Sequence, residues 1–71
     1  MTWEQAVLDA VAFALNWKSG RTLTDLWAMA NPQGFGRAVT YDEIRAALAA
    51  VGAVERSGRW YSTTWAKEVA S

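Results

Sequence analysis

Residues 40–63, which read TYDEIRAALAAVGAVERSGRWYST, constrain the fold of this chain more than any other stretch. Thr40 and Glu43 form a capping box, the reciprocal pair of side chains that starts a helix. Three apolar residues then follow at helical spacing: Ile44, Leu48 and Val51. The sequence therefore predicts a helix over about residues 41–51 with one face towards a core.

The same stretch continues into a predicted β-hairpin over about residues 53–63, with Ser57-Gly58 as a two-residue turn. The turn pairs the flanking residues in order: Arg56 with Arg59, Glu55 with Trp60 and Val54 with Tyr61. Alternation along the strands puts the last pair on the core side and Trp60 on the opposite side, with both arginines at the tip. The hairpin is then a contact surface, unless Trp60 folds back over the first helix or the tail.

Two further helices are predicted in the first half of the chain. Thr2 and Gln5 form a capping pattern for a helix over about residues 3–18, which a cation and a glycine end. Thr24 caps a short second helix over about residues 25–31, and residues 64–71 form a tail that covers the core. The predicted core consists of Val7, Val11, Leu15, Ile44, Leu48 and Val51.

The composition limits the chemistry that this chain can perform. Its 71 residues suit one domain, and they include no cysteine and no histidine. Disulfides, thiolate metal sites and the commonest general base are therefore excluded. The sequence also has no phosphate-binding glycine loop and no paired carboxylates in a plausible cleft. We expect a protein that is not an enzyme and that has no cofactor, no bound metal and no small-molecule substrate.

Charge and hydropathy patterning point to a cytoplasmic protein. The longest apolar-rich stretch is interrupted by Asp9, and the N-terminus MTWEQ lacks the basic start of a signal peptide. No membrane partner is expected. The formal net charge is zero, which argues against a protein that coats nucleic acid but leaves room for a local basic patch.

The order of helix, short helix, capped helix, glycine and hairpin resembles the winged helix-turn-helix domains of small bacterial and phage proteins. The specific likeness lies in residues 40–63, and it extends over residues 23–63. The resemblance implies a mainly α fold of three helices with a small C-terminal β-hairpin, the wing. Two features depart from it. The connection over residues 31–39 exceeds the usual three- or four-residue turn, and the third helix offers few groups that read bases.

Five residues are candidates for contact with DNA or another partner: Arg37, Arg45, Arg56, Arg59 and Trp60. The arginines are expected to form one patch across the third helix and the wing, and four phosphate contacts would give a salt slope of about −3.6. In the winged-helix family the third helix enters the major groove. Here its outward face carries one arginine with an aspartate and two alanines: Asp42, Arg45, Ala46 and Ala49.

Two functions from different classes remain open. The first is a small DNA-binding regulator of transcription or excision, of the type that phages and mobile elements encode. The second is a winged-helix fold that binds a host protein, as a phage-encoded inhibitor (an anti-CRISPR or a polymerase-binding protein) would. The zero net charge and the surplus of aromatic residues favour the second function, whereas the common use of the fold favours the first.

The aromatic residues also raise the question of self-association. Phe13 and Trp17 lie on the flank of the predicted first helix, where they either complete the core or form a self-complementary strip with Ala6. Trp65 would lie at the rim of that strip. The second alternative predicts a homodimer.

Overall fold

The structure is a computed structural model that describes residues 2–63, and it contains three helices and three short strands. In chain order these are α1 (Trp3–Ala14), β1 (Arg21–Thr22), α2 (Leu23–Met29), α3 (Tyr41–Ala50), β2 (Val54–Arg56) and β3 (Arg59–Tyr61). The strands form one antiparallel sheet in the order β1-β3-β2. This confirms the predicted mainly α, winged-helix-like fold and adds a strand. Within the described range, no helix has the length and apolarity to cross a membrane.

The three helices pack around one apolar core. Five of the six predicted core residues are buried: Val7, Val11, Leu15, Ile44 and Leu48. Val51 is half-buried and packs against them. Leu26 is the contribution of α2, and it is fully buried because the short helix packs against both longer ones. The core therefore follows from the helical spacing in the sequence.

Helix α1 ends at Ala14, four residues earlier than predicted. The backbone N–H of Leu15 still bonds to the Val11 carbonyl, but the N–H of Trp17 bonds to the Leu15 carbonyl and that of Gly20 to the Trp17 carbonyl. The turn brings the chain to Arg21, which pairs with Trp60 in the sheet. Gly20 therefore does not cap the helix as expected; it leads into β1.

The N-terminus of α2 also differs from the prediction. The helix begins at Leu23, and its cap is Thr22 instead of Thr24. The Thr22 hydroxyl accepts the backbone N–H of Asp25 at 3.2 Å. Thr22 has the extended conformation that a cap requires, because it is also the last residue of β1. One residue thus ends a strand and starts a helix.

The hairpin has the predicted register, with Glu55 opposite Trp60 across the two-residue turn. Ser57 and Gly58 both have positive φ (53° and 80°), as a type I′ turn requires. Of the two alternatives left open for Trp60, the structure has the one in which the ring folds back: Trp60 is half-buried and packs against the core. Strand β1 joins β3 to the turn after α1, and the face of the sheet that carries Trp60 lies against the helical core.

Candidate binding surfaces

Arg37 lies in the long connection between α2 and α3. Its guanidinium lies 4.3 Å from the centre of the Trp3 ring and donates a 3.2 Å hydrogen bond to the Glu43 carboxylate. The Trp3 indole N–H donates to the same carboxylate, and the Trp3 ring meets Phe35 edge-on, with 5.3 Å between centroids. Arg37 therefore fastens the loop to the start of α1, and its charge is offset by Glu43.

Glu43 is the centre of this cluster. One carboxylate oxygen accepts the Trp3 indole and the Arg37 guanidinium, and the other accepts the Thr40 backbone N–H at 3.0 Å. The Trp3 hydrogen bond is the largest cause that lowers the pKa of Glu43, followed by the backbone N–H of Thr40. A carboxyl group with a lowered pKa in the folded state stabilises that state above its unfolded pKa, and this contribution disappears as the pH falls through the folded pKa.

We expect Glu43→Gln to be less stable than the wild type at pH 7 and to lose less stability on acidification. The amide of the variant cannot gain a proton. The variant therefore lacks the loss of stability that protonation of this carboxylate causes below about pH 4.3, the ordinary pKa of Glu. Urea denaturation at neutral and acidic pH measures both effects. Glu55→Gln, at an exposed carboxylate on β2, is the matched control. If the stability of Glu43→Gln and of the wild type depended equally on pH, the lowered pKa of Glu43 would be contradicted.

Arg45 lies on the outward face of α3, where it was predicted. Its guanidinium is 3.3 Å from the carboxylate of Asp42, three residues earlier on the same helix. Both side chains are largely exposed, so the pair contributes little to stability. The pair matters more for the charge of the surface, because the carboxylate of Asp42 offsets the positive charge of Arg45 on this face. The exposed neighbours Ala46 and Ala49 add no polar group.

The two wing arginines keep their charge. Arg59 donates to the backbone carbonyls of Ser19 and Gly20 at 3.4 and 3.3 Å, which fastens the wing to the turn after α1. Those acceptors are neutral, so the guanidinium remains an exposed cation with further donors. Arg56 is exposed beside the type I′ turn and contacts no acidic side chain among residues 2–63. Of the four arginines in the predicted patch, Arg37 and Arg45 are thus paired with acidic side chains. Arg56 and Arg59 have no acidic partner among the described residues.

The alternative in which Phe13 and Trp17 complete the core is wrong. Phe13 is 80% exposed and Trp17 is 54% exposed. Phe13 follows the solvent side of α1, and Trp17 lies beyond the end of the helix, where the Arg21 guanidinium covers its ring at 4.4 Å. Ala6, the third residue of the proposed strip, is buried. Trp65, which was placed at the rim of the strip, lies outside the described residues.

Two surfaces were not predicted. A groove of about 360 Å³ runs between α1 and α3, and its lining includes Trp3, Leu8 and three alanines of α3: Ala46, Ala47 and Ala50. Trp27 stacks on Tyr41 with 5.5 Å between centroids, and its indole N–H donates to the Val39 carbonyl at 2.9 Å. The run of alanines signalled the groove, since small side chains leave space beside a neighbouring helix. The stack of Trp27 on Tyr41 depends on the path of the connection between α2 and α3, which no short sequence pattern predicts.

Comparison of this chain with protein-family models, with curated proteins and with solved structures finds no match in any of the three.

Proposed function

We propose that the chain is a non-enzymatic module that binds duplex DNA through its wing. The observation that carries the proposal is Arg56, an exposed cation beside the two-residue turn, with no acidic partner among the described residues. Arg59 stands opposite it in the register; its Nη1 bonds to the Ser19 and Gly20 carbonyls, and its other donors remain for a phosphate. Arginines in this position suit phosphate oxygens, because the planar guanidinium donates in a fork that matches them.

The charge distribution predicts how strong this contact is. Glu43 and Asp42 offset Arg37 and Arg45, so two phosphate contacts remain instead of four. The expected slope of log affinity against log salt is then about −1.8 instead of about −3.6. Such a monomer binds weakly and with little dependence on sequence, since α3 presents Ala46 and Ala49 where base-reading side chains would be needed.

We expect a labelled mixed-sequence duplex, titrated at several salt concentrations, to show this slope. Arg56→Ala should weaken binding to every sequence and flatten the slope by about 0.9, the value for one lost contact. Fluorescence anisotropy measures the affinity. Arg45→Ala is the matched control on α3 and should change the slope less.

Arg59→Ala also removes the bonds to the turn after α1, so its circular dichroism spectrum must match that of the wild type before its affinity is interpreted. A slope that stays the same when both wing arginines are replaced in a folded protein contradicts the proposal.

A protein partner is the second candidate. The observation that favours it is the outward face of α3, where one ion pair and two exposed alanines make a neutral surface that another protein can approach closely. The same titration separates the two functions. Absence of duplex binding by the wild type at low salt would support a protein partner, because the electrostatic contribution to DNA binding is greatest there.

A further inference from the structure

The pleat of the sheet separates the charges of the hairpin. Residues paired across antiparallel strands lie on the same face, and neighbours along one strand alternate between the two faces. Arg56 pairs with Arg59, and Glu55 pairs with Trp60. Because Trp60 packs against the helical core, Glu55 belongs to that inner face and the two arginines belong to the outer face. Both cations of the wing therefore lie on the face that has no acidic residue of the hairpin.

The outer face continues onto β1. Thr22 pairs with Arg59 on the side of β3 away from Arg56, so these three residues form one row across the three strands. At a strand spacing of about 4.8 Å, the row is about 10 Å wide. The Thr22 hydroxyl accepts the backbone N–H of Asp25, and its own proton remains to be donated. The row thus presents a hydroxyl and two guanidinium groups.

Tyr61 adds a second hydroxyl to the outer face. It follows Arg59 by two residues on β3 and pairs with Val54, and neither Tyr61 nor Val54 packs against the helical core. The Tyr61 ring lies against Gly20, where an added Cβ would be 2.7 Å from two ring atoms. Its hydroxyl has no hydrogen-bond partner among residues 2–63. Tyrosine, threonine and arginine side chains all donate to the phosphate oxygens of DNA.

We propose that the phosphate backbone of the duplex lies across this outer face, where Tyr61 and Thr22 add hydroxyl donors to the two wing arginines. The inference rests on the proposed function, and it extends the contact from the tip of the wing to the face of the whole sheet. Hydroxyl groups carry no charge, so their contacts displace no counterions from the DNA. They raise the affinity and leave its dependence on salt as the arginines set it.

Tyr61→Phe tests the hydroxyl and keeps the ring against Gly20. We expect it to weaken binding to the mixed-sequence duplex about tenfold, the effect of one hydrogen bond to a charged acceptor, at an unchanged salt slope of about −1.8. Tyr41→Phe is the control, because Tyr41 is also exposed but lies on α3, and its affinity should equal that of the wild type. Fluorescence anisotropy measures both quantities.

Two neighbouring residues of β2 test which face meets the DNA. Val54→Lys and Glu55→Gln each raise the net charge by one, but Val54 belongs to the outer face and Glu55 to the inner face. We expect Val54→Lys to steepen the slope by about 0.9, to about −2.7, and Glu55→Gln to leave the slope unchanged. Circular dichroism confirms that each variant is folded.

The outcomes separate this inference from the function on which it rests. Absence of duplex binding by the wild type at low salt overturns both. If Arg56→Ala flattens the slope but Tyr61→Phe binds as the wild type does, and Val54→Lys has the same slope as Glu55→Gln, the wing binds DNA by its tip alone and the sheet face is overturned.

Discussion

Leu48→Ala is expected to lower the free energy of unfolding by about 2–5 kcal/mol. Leu48 is fully buried in the core that α1, α2 and α3 enclose, so its truncation removes apolar contacts and leaves a cavity. A domain of this length has a total stability of about 4–10 kcal/mol, so the change removes a large part of it. Urea denaturation followed by tryptophan fluorescence measures the loss.

Met29→Ala is the control for this substitution, because it shortens an apolar side chain on α2 that is half exposed. A surface change of this kind usually alters stability by less than about 0.5 kcal/mol. If the two variants lost equal stability, Leu48 would not be a core residue.

Gly20→Ala is expected to lower the free energy of unfolding by about 2–4 kcal/mol, although it adds a single methyl group. Gly20 has a φ of +76°, which side chains rarely adopt, and an added Cβ would lie 2.7 Å from two ring atoms of Tyr61. The ring must therefore shift to make room for the methyl group. The expected loss is the sum of backbone strain and displacement of this ring.

Gly34→Ala separates the two causes. Gly34 also has a positive φ, of +87°, but a Cβ there would meet no atom within 4 Å. Gly34→Ala should lower the free energy of unfolding by about 1–2 kcal/mol, from backbone strain alone. When Tyr61 is replaced by alanine, the added cost of Gly20→Ala should fall to that same value. A cost that stays the same in that background would show that the ring is not the obstacle.

The sequence predicted the elements whose information is local. The capping box of Thr40 and Glu43, the spacing of the core residues and the turn at Ser57-Gly58 all act within a few residues, and each is present in the structure. Strand β1 was missed because a strand of two residues shows no alternation. That omission also left the orientation of Trp60 open, because β1, about 40 residues earlier in the chain, joins the sheet to the helices.

The candidate site was harder to predict, for a different reason. The arginines were identified by residue type, but their charge depends on neighbours that the fold supplies. Glu43 reaches Arg37 only because the loop returns to the start of α3, and Arg59 reaches the Ser19 carbonyl only because β1 brings that turn to the sheet. No sequence pattern of short range contains either contact. The exposure of Phe13 likewise depends on which side of α1 the other helices occupy.

The lengths of the edge strands limit how these molecules can associate. The sheet is bounded by β1, with two residues, and by β2, with three, while β3 lies between them. Edges this short leave few unpaired backbone groups, so another chain gains little by adding a strand to the sheet. A partner of the sheet would then contact side chains, which single substitutions can alter without a change to the backbone.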